Sequence, residues 1–160
     1  MNNKITRWGV GPKFLFFSVA YSLFVAIMHY IFLPELKFIV FNRLINTILG
    51  IILIFAGLPL FLIPAFIIDK YFEKGELATK GVYSIMRHPI YGSWIVFIIP
   101  GIVILHGSVI SISVPLFMYF VFKLVIKREE EYLLKKFGND FLKYKKSVNA
   151  IFPTIKPKKN

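Results

Sequence analysis

The chain has 160 residues, 57% of them hydrophobic, and its net charge is +12. A soluble domain of this length could not cover so much apolar surface, so the composition predicts an integral membrane protein. The chain contains no cysteine, which excludes disulfides, thiolate nucleophiles and cysteine-ligated metal ions. Half of the 20 lysines and arginines follow Ile126, and beside hydrophobic segments such a basic region indicates an anionic membrane surface rather than nucleic acid.

Four apolar segments account for most of the hydrophobic residues. A helix that crosses a bilayer needs about 20 predominantly apolar residues. The sequence therefore predicts an all-α, multi-pass fold, organised as a single domain over residues 1–160, with spans at residues 14–33, 44–68, 90–105 and 109–126. Pro59 and Pro64 interrupt the second segment and are expected to kink or tilt it.

Two segments separate the first three spans. Residues 34–43 are expected to form a short linker, and the basic residues 69–87 to form a loop. Pro89 restarts the helix, because proline suits the first helical position and pushes the residue before it into an extended conformation.

The last two spans are predicted to form an antiparallel hairpin, because residues 106–108 are too few to do anything but turn the chain back. The final helix is expected to continue out of the membrane and to stop at Gly138. A short amphipathic helix should then follow and run through Val148.

The basic regions predict the orientation. They comprise Arg7 with Lys13, residues 70–87 and the C-terminal tail, whereas the turn at residues 106–108 carries no charged side chain. Four spans place all three regions at one membrane face, and the positive-inside rule makes that face cytoplasmic. We therefore expect both termini in the cytoplasm, with the cell membrane favoured over an organelle membrane.

Two polar clusters flank the hairpin. Because its helices are antiparallel, its entrance and exit should lie side by side, which brings a cationic and an anionic cluster together at one face. Such a site suits a zwitterionic ligand with a ring or a sulfonium. The entrance carries Tyr83, Arg87, His88 and Tyr91, and the exit carries Arg128, Glu129, Glu130 and Glu131.

Helical spacing separates the two central glutamates. Glu129, Leu133 and Phe137 share one stripe, which points Glu129 toward the packed face, while Glu130 lies about 100° around the helix. Structural interpretations compete with the functional one. The acidic run could be a solvated face, the tyrosines could be interfacial belt residues, and Arg87 could be a positive-inside anchor. His29, within the first span, is interpreted as a packed or hydrogen-bonded residue and His106 as a turn residue.

At this point the residues resemble a known family. "GVYSIMRHPIY" (81–91), followed some forty residues later by "EEEYLLKKFGNDFLKYKKSV" (129–148), is similar to the isoprenylcysteine carboxyl methyltransferase and phospholipid methyltransferase superfamily of integral membrane enzymes. The resemblance covers residues 74–153, which would form the catalytic part of the domain.

The resemblance implies a methyltransferase that uses S-adenosylmethionine at the cytoplasmic membrane face and takes a lipophilic acceptor, such as an isoprenylcysteine-like carboxylate, from the bilayer. It implies catalytic or positioning roles for Arg87 and Glu130. The cofactor-binding residues that it implies are Glu76, Leu77, Ala78, Tyr83, His88, Pro89, Tyr91 and Glu129. No metal ion and no nucleic acid partner are expected.

Two positions depart from the family pattern: Phe141 stands where a tyrosine is common, and Val125 stands where prenylcysteine enzymes carry an arginine. Three alternatives therefore stay open. They are phospholipid N-methylation, which would require a base such as Glu130 or His88, an NADPH-dependent membrane reductase on a related scaffold, and a non-catalytic membrane subunit.

Overall fold

The computed structural model describes residues 10–32 and 42–154, and these residues form helices, turns and loops without a β-strand. Arg7 and most of the predicted 34–43 linker lie outside the described residues. Four helical segments are long and apolar enough to cross a membrane, which confirms the predicted multi-pass, all-α fold. They are Gly11–Phe32, Arg43–Lys74, Pro89–His106 and Ile110–Ser147.

The first two spans are the uninterrupted helices α1 (Gly11–Phe32) and α2 (Arg43–Lys74). The Asn42 side chain accepts a hydrogen bond from Ile45 N–H at 2.9 Å and caps the start of α2. α2 ends at Gly75, whose φ of 65° is the left-handed conformation that glycine favours. The predicted loop at residues 69–74 is therefore wrong. Hydropathy falls after Ile68, but helical hydrogen bonding continues as far as the glycine cap.

The third span is built from three consecutive helical pieces, α4 (Pro89–Gly92), a π-helical segment (Ser93–Ile98) and α5 (Ile99–His106). The single-turn helix α3 (Val82–Ile85) precedes it. Pro89 occupies the start of α4 as predicted. Gly107, at φ 69°, ends α5 and starts the predicted turn.

The fourth span begins with a 3₁₀ turn (Ile110–Ile112) and continues as α6 (Ser113–Ser147). Gly138 breaks α6 with a non-helical backbone conformation (φ 54°, ψ −125°), at the position where the sequence predicts the helix to stop. At 1.5 Å per residue, the part of α6 before this break, residues 113–137, is about 37 Å long, longer than the roughly 30 Å hydrocarbon core. Its C-terminal half, which carries the acidic cluster, therefore extends beyond the apolar layer.

Small residues bring α2 and the third span into close contact. A Cβ added to Gly101 would lie 2.7 Å from Gly50 O, and one added to Gly57 would lie 2.7 Å from an Ile98 side-chain carbon. Such close backbone approach is typical of helix pairs in membranes, where van der Waals packing replaces the hydrophobic effect.

The opposite side of the bundle is formed by α1, which packs on α6 and on the third span through a shared core. Phe14, Val25, Tyr91, Met118 and Phe122 are buried in this core. The outer faces of α1 and α2 carry large exposed apolar side chains, including Phe16 and Phe66, which suit contact with lipid tails.

The uncharged end of the bundle is closed by a buried polar contact. His29 Nδ1 and Ser108 Oγ lie 3.1 Å apart, and both residues are buried. The His106 ring packs edge-on against His29 at 4.9 Å between centroids. His29 is thus the hydrogen-bonded helix residue that the sequence predicts.

Candidate active site at the polar end of the bundle

The chain between α3 and α4 is extended and presents Arg87 and His88 from a short, irregular segment. Met86 has φ −151° and ψ 147°, and His88 has φ −122° and ψ 68°, so neither residue belongs to a helix. The proline that follows explains this conformation, because its ring disfavours helical geometry in the residue before it. Arg87 and His88 therefore lie next to each other at the start of the third span, outside any helix.

The two predicted clusters meet. Arg87 Nη2 donates to Glu130 Oε1 at 2.6 Å, and both side chains are mostly buried. Lys145 Nζ donates to the other oxygen of Glu130 at 2.6 Å, but that lysine is 46% exposed. The expected meeting of the hairpin's entrance and exit is confirmed, and Glu130 is the centre of the ion pairs that join them.

His88 lies between the two glutamates. Its Nδ1 is 3.5 Å from Glu129 Oε1, and its Nε2 is 3.4 Å from Glu130 Oε1. Burial of the imidazole acts to lower the pKa of His88, but the hydrogen bonds and negative charges of the two carboxylates outweigh it. The pKa of His88 is therefore raised above its ordinary 6.5, which favours the imidazolium form.

Glu129 faces the other side of His88. Its Oε2 accepts long hydrogen bonds of 3.4 Å from the Tyr91 hydroxyl and from Val10 N–H. The start of α1 therefore contacts the acidic cluster, which the sequence did not predict. Glu129 carries no short ion pair among the described residues, so its carboxylate keeps acceptor capacity for a ligand.

Two tyrosines complete the inner wall. Tyr83 is buried, and its carbonyl accepts a 2.6 Å hydrogen bond from the Tyr144 hydroxyl. Burial, with a contribution from the Glu129 charge, raises the pKa of Tyr83 well above its ordinary range, so the phenol stays protonated. The site therefore presents aromatic faces and neutral hydroxyl groups beside the Glu129 carboxylate.

We call residues 81–91 the Arg87 motif. A cavity of about 120 Å³ lies between α2, the Arg87 motif and α6. Most of the predicted site residues line it: Glu76, Leu77, Ala78, Tyr83, Arg87, His88 and Glu129. Three predicted residues, Pro89, Tyr91 and Glu130, do not line the cavity. Tyr91 contacts Glu129 and Glu130 contacts His88, and both of these partners line it.

The sequence did not single out several other lining residues: Ile68, Tyr71, Phe72, Tyr132, Lys136, Phe141 and Tyr144. Two of these, Tyr71 and Phe72, belong to the end of α2, where a loop was expected. Lys136 is exposed at the mouth, and its ammonium group lies over the rings of Phe72 and Phe137 at 5.7 and 5.2 Å. The Glu129, Leu133 and Phe137 stripe predicted from helical spacing does face the cavity.

Arg87 has one donor without a partner. Within the described part of the chain, its Nε is buried and makes no hydrogen bond, whereas its terminal nitrogens bond to Glu130 and to the end of α6. Unpaired buried donors are rare, and they are often found where a ligand or water supplies the acceptor. Over residues 10–32 and 42–154, the side chains form no metal-binding group.

Comparison with known proteins identifies the family. A sequence model of the phospholipid methyltransferase family matches residues 44–140, more than half of the chain. The chain belongs to this family. The match includes α2, the Arg87 motif and the acidic cluster, which are the parts that enclose the cavity.

Relatives of this family member include three protein-S-isoprenylcysteine O-methyltransferases. The chain is 38% identical to the Dictyostelium discoideum protein over 79 residues, covering 49% of this chain and 33% of that protein. It is 36% identical to the human protein over 87 residues (52% and 31%) and 31% identical to the rat protein over 135 residues (79% and 46%). The matches thus span less than half the length of these relatives. No solved structure matches the chain significantly.

Proposed function

We propose that this protein transfers a methyl group from S-adenosylmethionine to the carboxylate of a lipophilic acceptor, such as a prenylated cysteine, at the cytoplasmic face of the cell membrane. The observation that carries the proposal is the cavity between the Arg87 motif and Glu129, because it places opposite charges and aromatic faces around one small volume at the bundle's polar end. The names of the relatives support the reaction class and the acceptor.

The residues present fit a sulfonium nucleoside with an amino-acid tail. Glu129 keeps an accepting carboxylate for an ammonium or for ribose hydroxyls, and Tyr83, Tyr71 and Phe72 provide aromatic faces for a heteroaromatic ring. When bound, the cofactor would supply an electrophilic methyl group. The volume of about 120 Å³ is below the roughly 300–1,000 Å³ of ligand-enclosing pockets, so the cavity would have to widen for a nucleoside to bind.

The arrangement of the charged groups favours an acceptor that needs no base. Both oxygens of Glu130 are held by cations, and the raised pKa of His88 favours the imidazolium, so neither candidate base is free to take a proton. An amine acceptor would require such a base, whereas a carboxylate is already ionised at neutral pH. Arg87 lines the cavity, and its guanidinium is a suitable cation for that carboxylate.

Methyl transfer is an in-line displacement, so the residues contribute mainly by orienting the two reactants and excluding water. Arg87 would hold the acceptor carboxylate, while Glu129 and Tyr83 would hold the donor. The catalytic role of Glu130 would be indirect, through the position of Arg87. The acceptor's chain would remain in the bilayer between the helices.

An NADPH-dependent reductase fits less well. Arg87 is the one arginine among the described residues that line the cavity, and it is already paired with Glu130. The lining thus offers a 2′-phosphate this arginine and the exposed Lys136, without a cluster of arginines among the described residues. A purely structural role would leave both the cavity and the unpartnered Nε without an explanation.

The binding test is calorimetric titration of the purified protein in detergent with S-adenosylhomocysteine and, separately, with NADPH. We expect S-adenosylhomocysteine to bind and Glu129→Gln to weaken binding by about tenfold or more, which corresponds to about 1.4 kcal/mol. Glu131→Gln is the matched control, because Glu131 lies on the same helix, is exposed and does not line the cavity. Binding of NADPH alone, or equal losses in the two variants, would overturn the proposal.

The activity test uses labelled S-adenosylmethionine with three acceptors: an S-prenylated cysteine, the same compound with its carboxylate converted to an amide, and phosphatidylethanolamine vesicles. We expect label in the first compound alone. Label in the phospholipid would show N-methylation instead.

A further inference from the structure

The segment that follows α6, residues 148–154, lies along the Arg87 motif and does not line the cavity. Arg87 N–H donates to Asn149 O at 2.9 Å, and His88 N–H donates to Ala150 O at 2.8 Å. A third bond of 2.8 Å joins the Thr154 N–H to the carbonyl two residues before Arg87. We call residues 148–154 the C-terminal strap.

The strap and the last turn of α6 also hold the Arg87 side chain. Arg87 Nη1 donates to the carbonyls of Lys145, at 3.0 Å, and Val148. With Nη2 on Glu130, the planar guanidinium is fixed on two sides, and among the described residues Nε is the guanidinium nitrogen without a partner. The orientation of the guanidinium is therefore set jointly by one strap carbonyl, that of Val148, and by two groups of α6, the Lys145 carbonyl and Glu130.

Close packing seats the strap on the third span. Ile151 is 1% exposed, and a Cβ added to Gly92 would lie 2.8 Å from Ile151 O and 2.6 Å from Met86 Sδ. Both distances are below those that real Cβ atoms show, so only glycine lets the strap approach this closely.

We propose that the C-terminal strap positions Arg87 and His88 at the cavity and thereby sets the affinity of the site for the methyl donor. The motif is extended, so no helix takes up its backbone N–H groups, and the strap carbonyls are their partners. Without these hydrogen bonds the Arg87–His88 backbone would lose its fixed conformation. The Arg87 and His88 side chains, which line the cavity, would then lose their positions. The identity of the ligand rests on the proposed function, but the mechanical role of the strap does not.

Two pairs of variants test this role. Truncation after Ser147 removes the strap, and truncation after Thr154 keeps every strap contact described above. Gly92→Ala wedges a methyl group against the strap. Ile102→Val is the control on the same span, because Ile102 is 46% exposed and does not line the cavity. This pair keeps the test valid if the shorter truncation does not fold.

The first readout is amide hydrogen exchange at Arg87 and His88, and the second is the affinity for S-adenosylhomocysteine. We expect Gly92→Ala and the truncation after Ser147 to speed exchange at both amides by about tenfold or more. Their affinity should fall by a similar factor, with little change in the two controls.

The two readouts distinguish the possible failures. Unchanged exchange in Gly92→Ala would overturn the strap contact, and faster exchange with unchanged affinity would overturn its positioning role. If the unaltered protein binds no S-adenosylhomocysteine, the proposed function fails, and the strap's effect on affinity fails with it. Exchange at the two amides would still decide whether the strap holds the motif.

Discussion

Arg87 and Lys145 pair with the same carboxylate, but their contributions to stability should differ greatly. The Arg87 side chain is 8% exposed and that of Glu130 is 13% exposed, so removing the arginine leaves a mostly buried carboxylate without the buried cation beside it. Breaking such a pair costs about 3–5 kcal/mol. Lys145 is 46% exposed, and solvent-screened pairs contribute only about 0–1 kcal/mol.

We therefore expect Arg87→Met to lower the free energy of unfolding by at least about 2 kcal/mol more than Lys145→Met, a factor of roughly 30 in the equilibrium constant. Met preserves the length of the apolar stem in both variants. Unfolding can be followed by circular dichroism during titration of the detergent-solubilised protein with sodium dodecyl sulfate.

A double variant that adds Glu130→Gln separates the ion pair from the carbonyl hydrogen bonds of Arg87. In that background the penalty for Arg87→Met should shrink, because no buried negative charge is left without the buried arginine. Equal penalties for Arg87→Met and Lys145→Met, or no coupling to Glu130, would refute the view that burial decides which ion pair matters.

Three further predictions concern packing, pH and the far end of the bundle. Gly101→Leu should destabilise the protein by about 1–3 kcal/mol or more, since its Cβ would lie 2.7 Å from Gly50 O, and thermal unfolding in detergent measures this. His88 has a folded-state pKa above its ordinary 6.5, so its stabilising contribution is complete below about pH 6.5 and is lost as pH rises above it. Unfolding titrations across pH should show this decline, and His88→Asn should flatten it. Ser108→Ala leaves the buried His29 Nδ1 without its partner and should cost about 1–3 kcal/mol in the same thermal assay.

Each of these predictions has a control or a contrary outcome. Ile102→Leu, next to Gly101 but 46% exposed, should change thermal stability little. Stability that rises between pH 6.5 and 8 in a His88-dependent manner would contradict the sign of the pKa shift. A Ser108→Ala variant as stable as the parent would mean that the His29 contact is dispensable.

The spans could be predicted because exposure to lipid produces a clear pattern in the sequence. Large apolar side chains are exposed along the central part of α1 and α2. Their ends could not be predicted equally well. Charged residues mark where the hydrocarbon layer stops, but a helix stops only where its hydrogen bonds do, and α2 therefore continues to Lys74. Similarly, α6 starts at Ser113, because a 3₁₀ turn occupies residues 110–112.

The meeting of the two polar clusters was also predictable, because hairpin connectivity places entrance beside exit. Helical spacing gave the inward direction of Glu129, which lines the cavity with Leu133. Helical spacing did not indicate that the Glu130 side chain would be at least as buried as that of Glu129. The burial of Glu130 comes from Arg87 and His88, which pack against it. The contact between Val10 and Glu129 joins residues 119 apart, and no local pattern in the sequence encodes it.

The neighbouring glutamates of α6 make its register a strict requirement. Inserting one residue into the helix ahead of them would rotate everything downstream by about 100°. Arg128 would then take the place of Glu129 beside His88, and Glu129 would take the place of Glu130. Length variation should therefore be tolerated after Ser108, at residues 109–112, while insertions or deletions between Ser113 and Glu130 should inactivate the protein even where the helix still forms.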